Sequence, residues 1–449
     1  MTYRHDTATV GVPAEATTFR SLLRRVTLGV VAALILAAPA SAQEITLRIT
    51  DWQAGVDNIL NSYNVLIKEF EESHPGVKIE YTQYSYNSYN EYLKPALASG
   101  AGPDIFAIYP GPDVADVAKS GNIVALSDVM DDEWKGWLGK AYDFEGGRWN
   151  GKLWIAPQDA QTEVIWVYKD MLAEIGMPLP PFGKAYTVDE WVEIGKRARA
   201  KGYDGLMAGL SESWTVHGPY YNMVHQLQPS DSPDMVLQAL DGKISWQQDI
   251  FRKPIEAFKK LHDARTWRED AIGMDYQVQA WGKWLERAGI GMWANGDWFA
   301  GSAPADHNQP GNPNIAIMSY PKVDAGATDA FNWGFGTDLA VYAKGENQEL
   351  ALEFVRFTNS PRGSEVFIEN YVVPAASGSV DISAIGDTSN PVFNLGIRLY
   401  TLKEGRASRY VYPHDEPQRA LYDGIINVML GAESIDDVLA NMDKVSGFK

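Results

Sequence analysis

Ile45, Leu47 and Ile49 alternate with polar residues up to Asp51-Trp52, the period of a half-buried strand. From Ile59 to Phe70 the apolar positions 59, 60, 63, 66, 67 and 70 follow helical spacing, and His74-Pro75-Gly76 ends the run. Val77, Ile79 and Tyr81 alternate again. Tyr89–Ala98 reads as a helix stopped by Ser99-Gly100, Ile105–Ile108 as a short buried strand, and Pro112-Asp113 as a helix start. Strand–helix–strand–helix–strand at this spacing predicts parallel βαβ units with helices on the sheet faces. Ligands in such sheets sit beyond the carboxyl ends of the strands, here Asp51-Trp52, Gln83-Tyr84 and Tyr109.

A second α/β region follows. Leu153–Pro157, Val164–Tyr168, Asn314–Met318 and Leu339–Tyr342 read as strands, and Glu349–Phe357 as a helix. Thr187-Val188-Asp189-Glu190 is a capping box for a helix with Trp191, Ile194 and Ala198 on its apolar face. The Pro/Gly-rich stretches at 178–183 and 301–313 read as surface loops.

Arg20, Arg24 and Arg25 precede the apolar run Val26–Ala38, and Ala40-Ser41-Ala42 follows as a small-residue cleavage site. Residues 1–42 are therefore expected to be a cleaved signal peptide that sends the protein to the periplasm, by either the Sec or the twin-arginine route. The apolar run is too short to cross about 30 Å of hydrocarbon. The whole chain has 39 Lys+Arg and 58 Asp+Glu. Setting aside residues 1–42, with Arg4, Arg20, Arg24, Arg25, Asp6 and Glu15, leaves 35 and 56, a net charge of −21. That balance disfavours nucleic acid and anionic membrane as partners. The 449 residues contain no cysteine, which removes disulfides, thiolate metal sites and a lipid-modified N-terminal cysteine.

No phosphate loop, HExxH helix, GxSxG elbow or complete dinucleotide fingerprint occurs, and no pair of histidines has i, i+4 metal spacing. Neither a metal nor a cofactor is expected. Carboxylates such as Glu163, Glu212, Asp297 and Asp338 could be drawn as a glycosidase pair, a weak signal among so many.

The 15 Trp call for explanation. Trp134, Trp137, Trp191, Trp281 and Trp284 lie in helical patterns and are assigned to packing. Others stand beside acids and amides at loop-like positions: Asp51-Trp52-Gln53, Gln83-Tyr84, Tyr109 with Asp113, Glu212-Ser213-Trp214, Asn295-Gly296-Asp297-Trp298 and Asn332-Trp333-Gly334. Aromatic rings beside hydrogen-bonding groups are what a sugar requires. Its C–H faces pack flat on rings, and its hydroxyl edges must be hydrogen-bonded once buried.

These motifs resemble the extracellular solute-binding proteins of ABC sugar importers, the group that contains maltose-binding protein. The likeness runs through Phe70-Glu71-Glu72-Ser73-His74-Pro75-Gly76, Pro103-Asp104-Ile105, Gly151–Pro157, Val167–Leu172, Gly291–Trp298, and Ala351–Phe354 with Ser360-Pro361. Tyr168 stands where an Asn often precedes the Lys-Asp pair, a departure from the family pattern.

The resemblance implies an α/β, two-lobe periplasmic-binding-protein fold of type II. Each lobe would be a mainly parallel sheet flanked by helices, and a three-segment hinge would join them. It places the crossings near Asp159–Thr162, Pro321–Ala330 and Thr358–Pro361. One lobe is then 43–158 plus 326–357, the other 159–325 plus 358–449. It implies ligand contacts at Trp52, Tyr84, Tyr109, Asp113, Asp159, Glu212, Trp214, Trp298, Trp333 and Tyr371. It also implies a non-catalytic monomer that hands a small carbohydrate to a membrane permease. The alternatives are a secreted glycoside hydrolase, or a same-fold binder of a polyol, polyamine or other solute.

Overall fold

The computed structural model describes residues 44–449 except 288, 302–311, 387, 389, 402–405 and 409–414. The expected signal peptide, 1–42, and most of the expected 301–313 loop lie outside the described residues.

The first sheet has the strand order β2-β1-β3-β9-β4, from β1 (Ile45–Asp51), β2 (Val77–Gln83), β3 (Ile105–Ile108), β4 (Ala156–Pro157) and β9 (Asp338–Val341). The second has the order β10-β8-β5-β6, from β5 (Ala160–Tyr168), β6 (Met292–Gly296), β8 (Ala330–Phe335) and β10 (Arg406–Ser408). A further strand, β7 (Ile315–Met318), pairs with β5. In the first sheet β1 and β3 are parallel, while β9 runs antiparallel to both β3 and β4. In the second, β8 and β10 are parallel, and β5 opposes β6, β7 and β8. The strand that runs against its neighbours is thus, in each sheet, the one that has just arrived from the other.

Local sequence explains the helices. In α1 (Asp57–Ser73) Ile59, Tyr63, Leu66 and Phe70 recur at helical spacing and are buried. Gly76, at φ +93°, turns the chain into β2. The helices α2 (Tyr86–Ser99) and α3 (Pro112–Lys119) follow β2 and β3. At α4 (Val188–Ala200) the capping box forms as the sequence predicts: Glu190 N donates to Thr187 Oγ1, and Thr187 N to Glu190 Oε2. Every residue of β5 is buried. Around it Trp166 meets Trp284 and Trp293, each 5.5 Å away between ring centres, and Trp281 lies 4.8 Å from Trp293. Much of the tryptophan excess is therefore core of the second sheet, including Trp281 and Trp284, which helical spacing assigns to packing.

Two crossings fall elsewhere than the sequence suggests. Residues 330–335 pair with β5 and β10 in the second sheet, so the chain returns to the first sheet at Gly336-Thr337 rather than within 321–330. After α7 (Gln348–Thr358), α8 (Pro361–Glu369) stays with the first sheet. Phe367 lies 6.0 Å from Tyr63 of α1, and Arg362 pairs with Glu69 at 2.8 Å. Gly378 N still donates to Trp137 O, so the last passage follows Gly378 instead of lying at 358–361. From there α9 (Pro391–Thr401) packs on β5 and β7. Strand register decides the first point and helix packing the second, and periodicity carries neither.

Candidate ligand-binding cleft

Asp159 ties the crossings together. Its backbone oxygen accepts from Gly336 N at 3.0 Å, its Oδ1 from Thr337 N at 2.7 Å and its Oδ2 from Gln161 Nε2 at 2.5 Å. Asp159 also bridges to Pro374, and Ala160 N donates to Val373 O at 2.7 Å. The side chain is buried and engaged with hinge backbone.

Next to these crossings lies a cavity of about 380 Å³ lined by Trp52, Gln53, Tyr109, Gln161, Glu163, Trp214, Tyr276 and Trp298. Trp52 and Tyr109 follow β1 and β3, at the strand ends where ligands sit in such sheets; their rings are 5.2 Å apart. From the second sheet Gln161 and Glu163 project from β5, and Trp298 follows β6. Trp214 opens α5 (Trp214–Leu227). The Trp214 ring stands 4.7 Å from Tyr276 at 89° and 5.5 Å from Trp298 at 66°, so three rings form angled walls.

Glycines clear the space these walls need. A Cβ at Gly296 would come within 1.9 Å of the Trp298 ring, and one at Gly218 of α5 within 2.0 Å of Glu163 Oε2. The Glu163 carboxylate is held by a buried amide relay: Gln226 Nε2 donates to Asn222 Oδ1 at 2.8 Å, Asn222 Nδ2 to Asn332 Oδ1 at 2.9 Å, and Asn332 Nδ2 to Glu163 Oε2 at 2.5 Å.

Carboxylates surround the cleft. Burial pushes Glu163 up to about 8, against the opposing Asn332 hydrogen bond. Burial likewise raises Glu212 to about 7, with Trp214 Nε1 donating to its Oε2 at 3.2 Å. Asp297 reaches about 7 and Asp159 about 6 for the same reason, while backbone N–H donors from Thr162 and Thr337 pull the other way. Asp51 reaches about 7 through burial, opposed by the Tyr81 hydroxyl it accepts from. Among the described residues no group of three or more His, Asp or Glu is placed to hold a metal ion.

Of the ten residues the sequence and its resemblance single out, Trp52, Tyr109, Trp214 and Trp298 meet in this cavity. Asp159, Trp298 and Tyr371 line an adjoining one of about 260 Å³. Tyr371 follows α8 at φ +61° and packs edge-on to Phe393. Asp113 lines a third cavity, of about 400 Å³, which shares Trp52 and Tyr109, and it lies 3.7 Å from Lys94. Three residues line none of these cavities: Glu212 supports Trp214 from behind, Tyr84 stacks on Tyr92 at 4.8 Å, and Trp333 stands exposed beside Phe335. Sequence reasoning named Gln53 only beside Trp52, did not name Gln161 or Tyr276, and weighed Glu163 only as a hydrolytic carboxylate. The signal for Gln161 and Glu163 is only positional: polar residues between Asp159, at the expected crossing, and the apolar run Val164–Tyr168.

Residues 57–365 match the family model described as bacterial extracellular solute-binding protein. An ABC transporter extracellular-binding protein of Pyrococcus horikoshii is 23% identical over 256 residues, 55% of each chain. A lipoprotein of Streptomyces antibioticus is 26% identical over 199 residues, 42% of each chain. The chain spans about half the length of these sequence relatives. Among solved structures, one from work on xylan utilization by Caldanaerobius polysaccharolyticus aligns with a TM-score of 0.76 at 16% identity, covering 89% of this chain and 99% of the other. A chitin oligosaccharide binding protein gives 0.71 at 19% identity, over 90% and 98%. The solute-binding protein RafE, in complex with raffinose, gives 0.70 at 17% identity, over 90% and 100%. These likenesses establish the two-lobe fold. With the family model matched over well more than half its length, the chain belongs to the bacterial extracellular solute-binding protein family.

Proposed function

We propose that this protein is the substrate-binding component of an ABC importer, which closes on a small carbohydrate and presents it to a membrane permease. The observation that carries this reading is the aromatic cavity at the crossings, lined by five rings and three hydrogen-bonding side chains, the mixture a small-molecule site requires. The sugar-binding names among its structural neighbours support it. Residues 44–158 with 338–379 would form one lobe and 159–336 with 391–449 the other. The crossings would absorb the dihedral change on closure. We place the protein outside the cytoplasmic membrane as a monomer, after cleavage near Ala42. Among the described residues no helix is long and apolar enough to cross a membrane.

Thermal-shift screening against neutral sugars, amino sugars, polyols and polyamines tests the reading, because a ligand that binds only the native state raises its apparent stability. Sugars should shift the transition; a shift by polyamines alone would replace the carbohydrate reading. A hydrolase reading would draw on Glu163 and Glu212, carboxyls raised to about 8 and about 7 beside the cavity. Stoichiometric calorimetric binding of a chromogenic glycoside without product release removes it.

A further inference from the structure

We propose that the cleft selects a carbohydrate bearing a basic nitrogen, an amino sugar or aminocyclitol unit, whose ammonium pairs with the Glu163 carboxyl, unpartnered at Oε1, beside the walls of Trp214, Tyr276 and Trp298. This rests on the carbohydrate reading above and narrows it.

Three observations converge. Glu163 is 3% exposed and lines the cavity, and its Oε1 has no hydrogen-bond partner, whereas Oε2 is held by Asn332. A buried carboxyl oxygen without a donor, on a side chain that lines a cavity, is an unmet demand. None of the residues described as lining that cavity is Lys, Arg or His. Lys94, which lines the cavity sharing Trp52 and Tyr109, is already paired with Asp113. The ring walls meet at 89° and 66°. Aromatic rings in such numbers beside a carboxyl group suit a cation, which a ring face attracts within about 6 Å of its centre.

The groups facing Glu163 are Asn332 on β8, Gly296 opposite it on β6, Gly218 on α5 and the phenol of Tyr320, itself raised by burial and then by Glu163. With Glu163 at about 8, the empty site holds a mostly neutral carboxylic acid at pH 7. An arriving ammonium favours the ionised form and expels that proton.

The experiment is calorimetry at pH 7 with glucosamine, galactosamine and the β-1,4 disaccharide of glucosamine, each beside its N-acetyl and hydroxyl counterparts. The amino member of a matched set should bind at least about tenfold more tightly, and E163Q should erase that preference. In wild type, enthalpies in two buffers of different ionisation heat should report release of up to about one proton per amino ligand. That readout keeps the test open if E163Q fails to fold. Neutral sugars binding as tightly as their amino counterparts, or no proton release, overturns the inference and leaves the carbohydrate reading standing. Silence across amino and neutral sugars alike removes both.

Discussion

Asn332 Nδ2 donates to Glu163 Oε2 at 2.5 Å across the β8–β5 pairing, and both side chains are buried. Asn332→Ala would strip a donor from the carboxylate and an acceptor from Asn222. The expected loss of folding stability is about 2 kcal/mol or more, measured by urea denaturation. A loss under about 0.5 kcal/mol would mean the relay contributes little.

Trp298 is the ring shared by the main and adjoining cavities. Trp298→Ala should cost about 2 kcal/mol or more of ligand affinity, the range of a buried aromatic anchor. Gly296→Ala keeps the ring but drives a methyl into it, so affinity should fall here as well. Calorimetry that finds either variant binding like wild type takes this wall out of the site.

The buried carboxyls set a pH dependence of definite sign. Asp159 stands at about 6, Asp51, Glu212 and Asp297 at about 7, and Glu163 at about 8 when folded, against values near 4 when unfolded. Between roughly pH 4 and 8 the native state therefore holds more protons than the unfolded one, and stability falls as pH rises. Below that window the trend reverses, because carboxylates lowered by cations, such as Glu69 beside Arg362, lose their partners' benefit. The melting temperature of the ligand-free protein should be higher at pH 5 than at pH 8, and a scan that rises over that interval would contradict the assignment.

Asp159→Ala should release Thr337 N and Gln161 Nε2 from the carboxylate that accepts from them, while Gly336 N keeps its backbone acceptor. Hydrogen exchange in the 330–340 segment should accelerate, with a stability loss of about 2 kcal/mol or more. Unchanged exchange there would show that Asp159 does not pin the crossings.

Local chemistry was legible in the sequence. The Thr187–Glu190 box, the stop at His74-Pro75-Gly76 and the strand ends at Trp52 and Tyr109 all depend on residues close in the chain. The pairing of 330–335 with β5 and the packing of α8 on α1 depend on partners more than 150 residues away. No local period encodes which sheet receives such a strand or helix. Glu163 stands just before the strand Val164–Tyr168 that periodicity predicts, and the sequence offers it only as one acid among many. Its role depends on Asn332, Gly218 and Trp214, which only the folded chain brings to it.

The interleaving of β9 between β3 and β4 has a consequence for the order of synthesis. A nascent chain that has emerged only as far as Pro157 has both flanking strands and lacks the one that joins them. The first sheet closes only after Val341 leaves the ribosome, by which point most of the second sheet's strands have been made. Neither half of the chain is therefore expected to fold on its own. Fragments split at the β4–β5 junction should need each other to become compact, and the whole should melt in one cooperative step.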